Sequence, residues 1–112
     1  MEVREESTET FTVVAVGGRM DAEAAREFAE RLAALIRGGH ERVLIEASKL
    51  DYIGSLGLRA LLIAAQQASD VQGWLALCSL TGPVRRVIDL SGFSSILRTY
   101  ASRDEAVATL AS

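Results

Sequence analysis

At 112 residues the chain has the length of one domain with one continuous core, and a single unit spanning residues 1–112 is expected. Hydrophobic residues make up 49% and charged residues 24%, a globular balance that argues against disorder in the body of the chain. With 12 Lys plus Arg against 15 Asp plus Glu and only 5% aromatics, the chain has neither surplus cations for phosphate backbones nor rings for base stacking, which argues against nucleic acid as a partner.

The N-terminal Met1-Glu2-Val3-Arg4-Glu5-Glu6 lacks the basic-then-apolar order of a secretory signal, so a cytoplasmic location is expected. A short strand at Val3, a polar turn over Ser7-Thr8-Glu9-Thr10 and a β-branched strand from Phe11 to Val16 predict a hairpin, with Gly17-Gly18 breaking the second strand. From Asp21, a candidate N-cap, Ala25, Phe28, Leu32, Leu35 and Ile36 recur at helical spacing as far as Gly38-Gly39. Val43-Leu44-Ile45 has no polar alternation, as expected of a central strand covered on both faces.

A loop over 48–57 is then expected, followed by a second helix beginning near Leu58 and Arg59, with Leu58, Leu61, Leu62, Ala65 and Ala68 as its stripe. Its apolar run, from Leu58 to Ala65, contains Arg59 and is far shorter than the ~20 residues that span a bilayer, so no membrane insertion is expected. Trp74 to Cys78 reads as another buried strand. Gly82-Pro83 opens a third helix where proline's missing N–H costs nothing; Val84, Val87 and Ile88 face inward, and Gly92 ends it. Leu97 to Tyr100 is the last strand, and Ser102 with Glu105 has capping-box spacing ahead of a terminal helix through Ala106, Val107 and Leu110. The alternation predicts an α/β fold: a mixed, mostly parallel sheet with an antiparallel N-terminal edge, covered by about four helices.

Loops at the carboxyl ends of such strands are where function gathers, which singles out Leu50-Asp51-Tyr52-Ile53-Gly54-Ser55-Leu56-Gly57-Leu58-Arg59-Ala60-Leu61-Leu62, a segment that runs into the second helix. Ser55 lies at or beside the first turn of the second helix, where unpaired N–H groups and the helix dipole favour a negative group such as phosphate. The residues also admit a plainer role, with Ser55 as a helix cap and Gly54 and Gly57 allowing a tight turn. A dinucleotide site is rejected, since its fingerprint needs a third glycine and an acidic residue after the next strand.

Several segments together, namely Gly18-Arg19-Met20-Asp21-Ala22, Val43-Leu44-Ile45-Glu46-Ala47-Ser48, Ile53-Gly54-Ser55-Leu56-Gly57-Leu58, Val84-Arg85-Arg86-Val87-Ile88 and Leu90-Ser91-Gly92-Phe93, resemble the STAS domain. Within that family the chain is similar to the stand-alone anti-sigma-factor antagonists of bacterial partner switching, and the resemblance covers nearly its whole length. It implies a protein that binds an anti-sigma-factor serine kinase, is phosphorylated by it and is restored by a serine phosphatase. The family's Asp-Ser-Ser/Thr-Gly-Leu pattern places the phosphorylated serine on Ser55. It implies partner contacts at Asp21, Gly54, Ser55, Leu56, Gly57, Leu58 and Arg59, and no cofactor. Two positions depart from the pattern: Gly54 stands where the family has Asp, and Leu56 where it has Ser or Thr. Leu56 either extends an apolar docking surface or tucks into the core beside Leu58.

A STAS adaptor or scaffold module without a phosphorylation cycle is the alternative that these two departures favour. An enzyme is not expected: Asp21, His40 and Ser55 supply the residue types of a nucleophilic triad, but Ser55 is not in a Gly-x-Ser-x-Gly elbow and His40 sits at a helix-to-strand turn. A single His and a single Cys in separate segments make no metal site. Cys78 reads as a buried core thiol, and Arg85 and Arg86 as solvated helix charges.

Overall fold

The computed structural model describes residues 1–110. The order is β1 (Glu2–Ser7), β2 (Thr12–Met20), α1 (Ala22–Arg37), β3 (Arg42–Ile53), α2 (Ser55–Asp70), β4 (Trp74–Cys78), α3 (Gly82–Ser91), a 3-10 turn (Phe93–Ser95), β5 (Arg98–Tyr100) and α4 (Arg103–Leu110). The strands form one sheet in the order β1-β2-β3-β4-β5. β1 pairs antiparallel to β2, and every later pairing is parallel.

Because spatial order follows chain order and crossovers share one hand, α1, α2 and α3 are delivered to the same face of the sheet. Phe28 and Leu32 of α1, Leu61 of α2 and Ile88 of α3 accordingly meet Val14, Val43 and Ile45 of the strands in one buried cluster. Each such side chain, fully buried, contributes on the order of 1.5–3 kcal/mol. The opposite face carries α4, whose buried Ala106 joins Leu44, Ala76 and Cys78 in a second, smaller cluster.

The hairpin forms as its residues imply, with Thr8 Oγ1 accepting from the N–H of Phe11 at 3.1 Å and of Thr10 at 3.3 Å to hold the turn. Asp21 caps α1 through a 3.0 Å bond from the Ala24 N–H to its Oδ1. At α4, the Glu105 N–H donates to Ser102 Oγ at 3.1 Å, while the Glu105 carboxylate reaches back to the Ala101 N–H rather than that of Ser102. Gly92 closes α3 at φ 82°, the left-handed conformation that glycine adopts without strain.

Three expectations are corrected. Gly17-Gly18 does not end β2, which continues to Met20 because β3 pairs alongside it, Gly17 opposite Lys49 and Gly18 opposite Leu50. Register irregularities on both sides of this pair, with Gly18 at φ 86°, each absorb one extra residue of β3 in the manner of a bulge. Nor is 48–57 a loop: β3 runs on to Ile53, with Leu50 and Ile53 buried and Lys49, Asp51 and Tyr52 exposed. The bulged register spaces its inward residues three apart, so a search for strict alternation misses it. Finally, α2 begins at Ser55, not near Leu58.

Candidate functional site

β3 pairs with β4 only as far as Glu46 opposite Cys78, whereas its pairing with β2 continues to Met20 opposite Ile53. The carboxyl ends of β2 and β3 therefore project together beyond the rest of the sheet, and each feeds a helix directly. The Gly54 N–H donates to the Met20 carbonyl at 3.1 Å, and Leu58 N–H to the Gly54 carbonyl at 3.1 Å, so α2 starts with no intervening loop. Asp21 follows Met20, which brings the caps of α1 and α2 to the same end of the molecule.

Gly54, in extended conformation, is the N-cap of α2, and it offers no side chain to the first-turn N–H groups. Ser55 is thus the first helical residue rather than the cap, and it is exposed. No acidic residue lies in that first turn. The electropositive end of a 16-residue helix is consequently open at the serine, without a carboxylate of its own to neutralise it.

Gly57 explains why the helix sits so low on the strands. A Cβ there would lie 2.7 Å from Ile53 Cγ1 and 2.8 Å from Met20 Sδ, closer than real Cβ contacts come, so only glycine lets the first turn rest on both strand ends. Leu58, 6% exposed, points into the core beside it. Gly57 and Leu58 therefore act by seating the helix and offer almost no surface to a partner. Leu56 is 46% exposed, which decides between its two readings: it projects outward and does not enter the core. Arg59 and Asp21 are exposed as well.

Two residues of this rim lie in segments that the sequence singles out, yet neither is among the expected site residues. Arg19 stacks its guanidinium 4.3 Å from the centroid of the Tyr52 ring, a cation–π contact between neighbouring strand ends. The Tyr52 hydroxyl would stand 3.2 Å from a Cβ at Gly54, so this ring shields the cap position directly. The signal available for them is that both precede the helix-initiating residues of their strands. α3 is tied to the same region by Thr81 Oγ1, which donates to the Leu50 carbonyl at 2.8 Å instead of capping its own helix.

The nucleophilic triad types are not brought together. His40 Nδ1 lies 3.2 Å from Thr12 Oγ1, at the start of β2, while Asp21 and Ser55 lie at its far end. Eight strand steps separate the two ends, on the order of 25 Å. Cys78 is fully buried, and desolvation raises its thiol pKa, with Glu46 adding to the rise while a hydrogen bond from Ser79 and the charge of Arg103 oppose it. Among the described residues no three His, Cys, Asp or Glu side chains cluster as metal ligands, and no helix is long and apolar enough to cross a membrane.

The model for the STAS domain family matches residues 2–106. The chain belongs to the STAS domain family. It is 36% identical over 108 residues to BtrV of Bordetella bronchiseptica, a protein whose name classes it with the anti-sigma factor antagonists, with 96% of this chain and 93% of that protein covered. Among solved structures, tm1081 of Thermotoga maritima superposes with a TM-score of 0.92 at 19% identity, covering 98% of this chain and 95% of that one. The Bacillus anti-sigma factor antagonist SpoIIAA, in its unphosphorylated form, superposes with a TM-score of 0.81 at 20% identity, covering 95% and 93%. Within this STAS domain Asp21, His40 and Ser55 stay dispersed and form no nucleophilic triad.

Proposed function

We propose that this STAS domain is an anti-sigma-factor antagonist that binds an anti-sigma-factor serine kinase and is switched off by phosphorylation of Ser55, a serine phosphatase reversing the step. The observation that carries the reading is Ser55 itself: exposed, at the first position of α2, beside an uncapped helix N-terminus. The likeness to BtrV supports it, as does the fact that SpoIIAA has been solved in a phosphorylated form as well as an unphosphorylated one.

Physically, a phosphate adds about -1.5 to -2 charge and three acceptor oxygens. The helix N-terminus tolerates that charge, so the domain itself stays folded. A kinase surface packed over Leu56 must strip water from the same charge, and this is the term that weakens docking. In this reading Asp21, Gly54 and Arg59 border the contact, while Gly57 and Leu58 hold its shape.

Incubation with the cognate kinase and ATP, followed by mass spectrometry, tests the assignment: phosphate belongs on Ser55 and disappears in Ser55→Ala. Ser55→Asp should bind the kinase at least tenfold more weakly than wild type, and Ser55→Ala should bind like it. Phosphate on another residue, or equal binding by both variants, defeats the switch. The exposed Leu56 and the missing carboxylate at Gly54 favour a second reading, a STAS adaptor that holds a partner without a phosphorylation cycle. A stable complex from cells with no kinase present and Ser55 unmodified would select it.

A further inference from the structure

α1 and α2 each return from a parallel strand and so run in the same direction, side by side. Small residues line the seam between them, Ala25, Ala29 and Ala33 from α1 with Ala60 and Ala64 from α2, and they leave a groove instead of a filled ridge. Two hollows of about 160 and 260 Å³ lie along it and share Ala29, Ala60 and Ile63, so the groove is continuous. Leu56 and Ile63, 46% and 47% exposed, stand two helical turns apart on the α2 wall, roughly 10 Å along the axis. That spacing fits the apolar face of one amphipathic helix.

The charged walls discriminate among occupants. Arg26, Arg37 and Arg59 line the hollows against the single carboxylate of Glu30, a local positive excess on a chain whose net charge is -3. Among the described residues the salt bridges are Arg31 with Glu5 and Arg103 with Glu6, so these three guanidinium groups are not spent internally. The N-terminus of α2, which has no carboxylate cap and no acidic residue in its first turn, lies at the end marked by Arg59 and adds to the positive field there. A second copy of this chain is disfavoured, because a two-fold interface on this groove would set arginines against arginines.

We propose that the groove between α1 and α2 is a docking channel for an acidic amphipathic helix of a partner protein, its apolar residues seated on Leu56 and Ile63 and its carboxylates facing Arg26, Arg37 and Arg59. The channel extends along α2 as far as Gln67, about three turns beyond Ser55, and the proposal goes beyond the phosphorylation reading: it holds whether or not that serine is modified.

The test uses two synthetic amphipathic peptides with the same apolar stripe, one flanked by Glu and the other by Lys, titrated into the isotope-labelled protein and followed by amide NMR shifts. The Glu peptide should perturb residues along the groove, Ala33, Ile63 and Gln67 included, and its binding should fade toward ~1 M salt, where the Debye length falls to about 3 Å. Ile63→Glu, at an exposed position that leaves the fold intact, should abolish binding, and Arg26→Glu with Arg59→Glu should weaken it at least tenfold. Equal binding of the Lys peptide overturns the proposal, as do shifts outside the groove or no shifts with the Glu peptide. Groove shifts that grow with protein concentration in the absence of peptide would make a second copy the occupant and overturn it equally.

Discussion

Ser55 and Gly57 sit two residues apart yet answer to different physics, one to charge and the other to volume. At Ser55 a carboxylate meets the positive end of α2, an interaction worth about 0.3–1 kcal/mol, so Ser55→Asp is expected to leave the melting temperature unchanged or slightly raised. A thermal melt showing this, alongside lost kinase binding, separates repulsion at an interface from unfolding. At Gly57 even a methyl group collides with Ile53 and Met20. Gly57→Ala should therefore cost about 1–3 kcal/mol, measured by urea denaturation, although alanine is the better helix former.

At the scale of elements, the two helices that start at this rim are capped unequally. α1 has the Asp21 carboxylate on the Ala24 N–H, whereas α2 begins on a bare glycine. Asp21→Ala is expected to destabilise by roughly 1 kcal/mol through loss of the cap. Asp21→Asn keeps the cap and removes the charge, so a fall in partner affinity with unchanged stability would mark a contact role separate from the structural one. Gly54→Asp restores the carboxylate that the family pattern places there. Its backbone, at φ -92° and ψ -179°, accepts any residue, and the tight neighbour is the outer end of the Tyr52 ring, which can swing aside. The gain in stability should thus be only a few tenths of a kcal/mol. Faster phosphorylation of Ser55 by the cognate kinase is the expected functional result, and an unchanged rate would show that the glycine does not limit recognition.

Across the whole molecule, the helical layer of α1, α2 and α3 carries the main core, and α4 packs on the other face of the sheet over Cys78, with Phe11, Trp74 and Tyr100 beside it. Ala106→Glu places a charge in that small cluster and should loosen α4 while leaving the main core formed. Cys78 then becomes reactive toward a thiol reagent at least tenfold faster, with most of the helical circular dichroism retained. The same thiol sets a pH dependence. Burial holds its pKa above the ordinary value, so the fold favours the neutral form. That contribution is fully present below the ordinary thiol pKa and is lost as pH rises through the raised one. The urea midpoint should therefore fall on the alkaline side, and the fall should be smaller in Cys78→Ala.

The order of elements, the capping role of Asp21 and the opening of α3 at Gly82-Pro83 were all legible in the sequence, because each depends on local chemistry: periodicity, a capping side chain, a proline. What the sequence obscured depends on neighbours distant in the chain. β2 continues through Gly17-Gly18 and β3 through to Ile53 because each supplies the other's ladder, and no local propensity records a partner strand. Whether Leu56 faced the core or the solvent rested on the register of α2, which is set by the contact of Gly57 with Ile53 and Met20. The groove between α1 and α2 needed both helices in place, since a row of alanines becomes a channel only when a second row lies beside it.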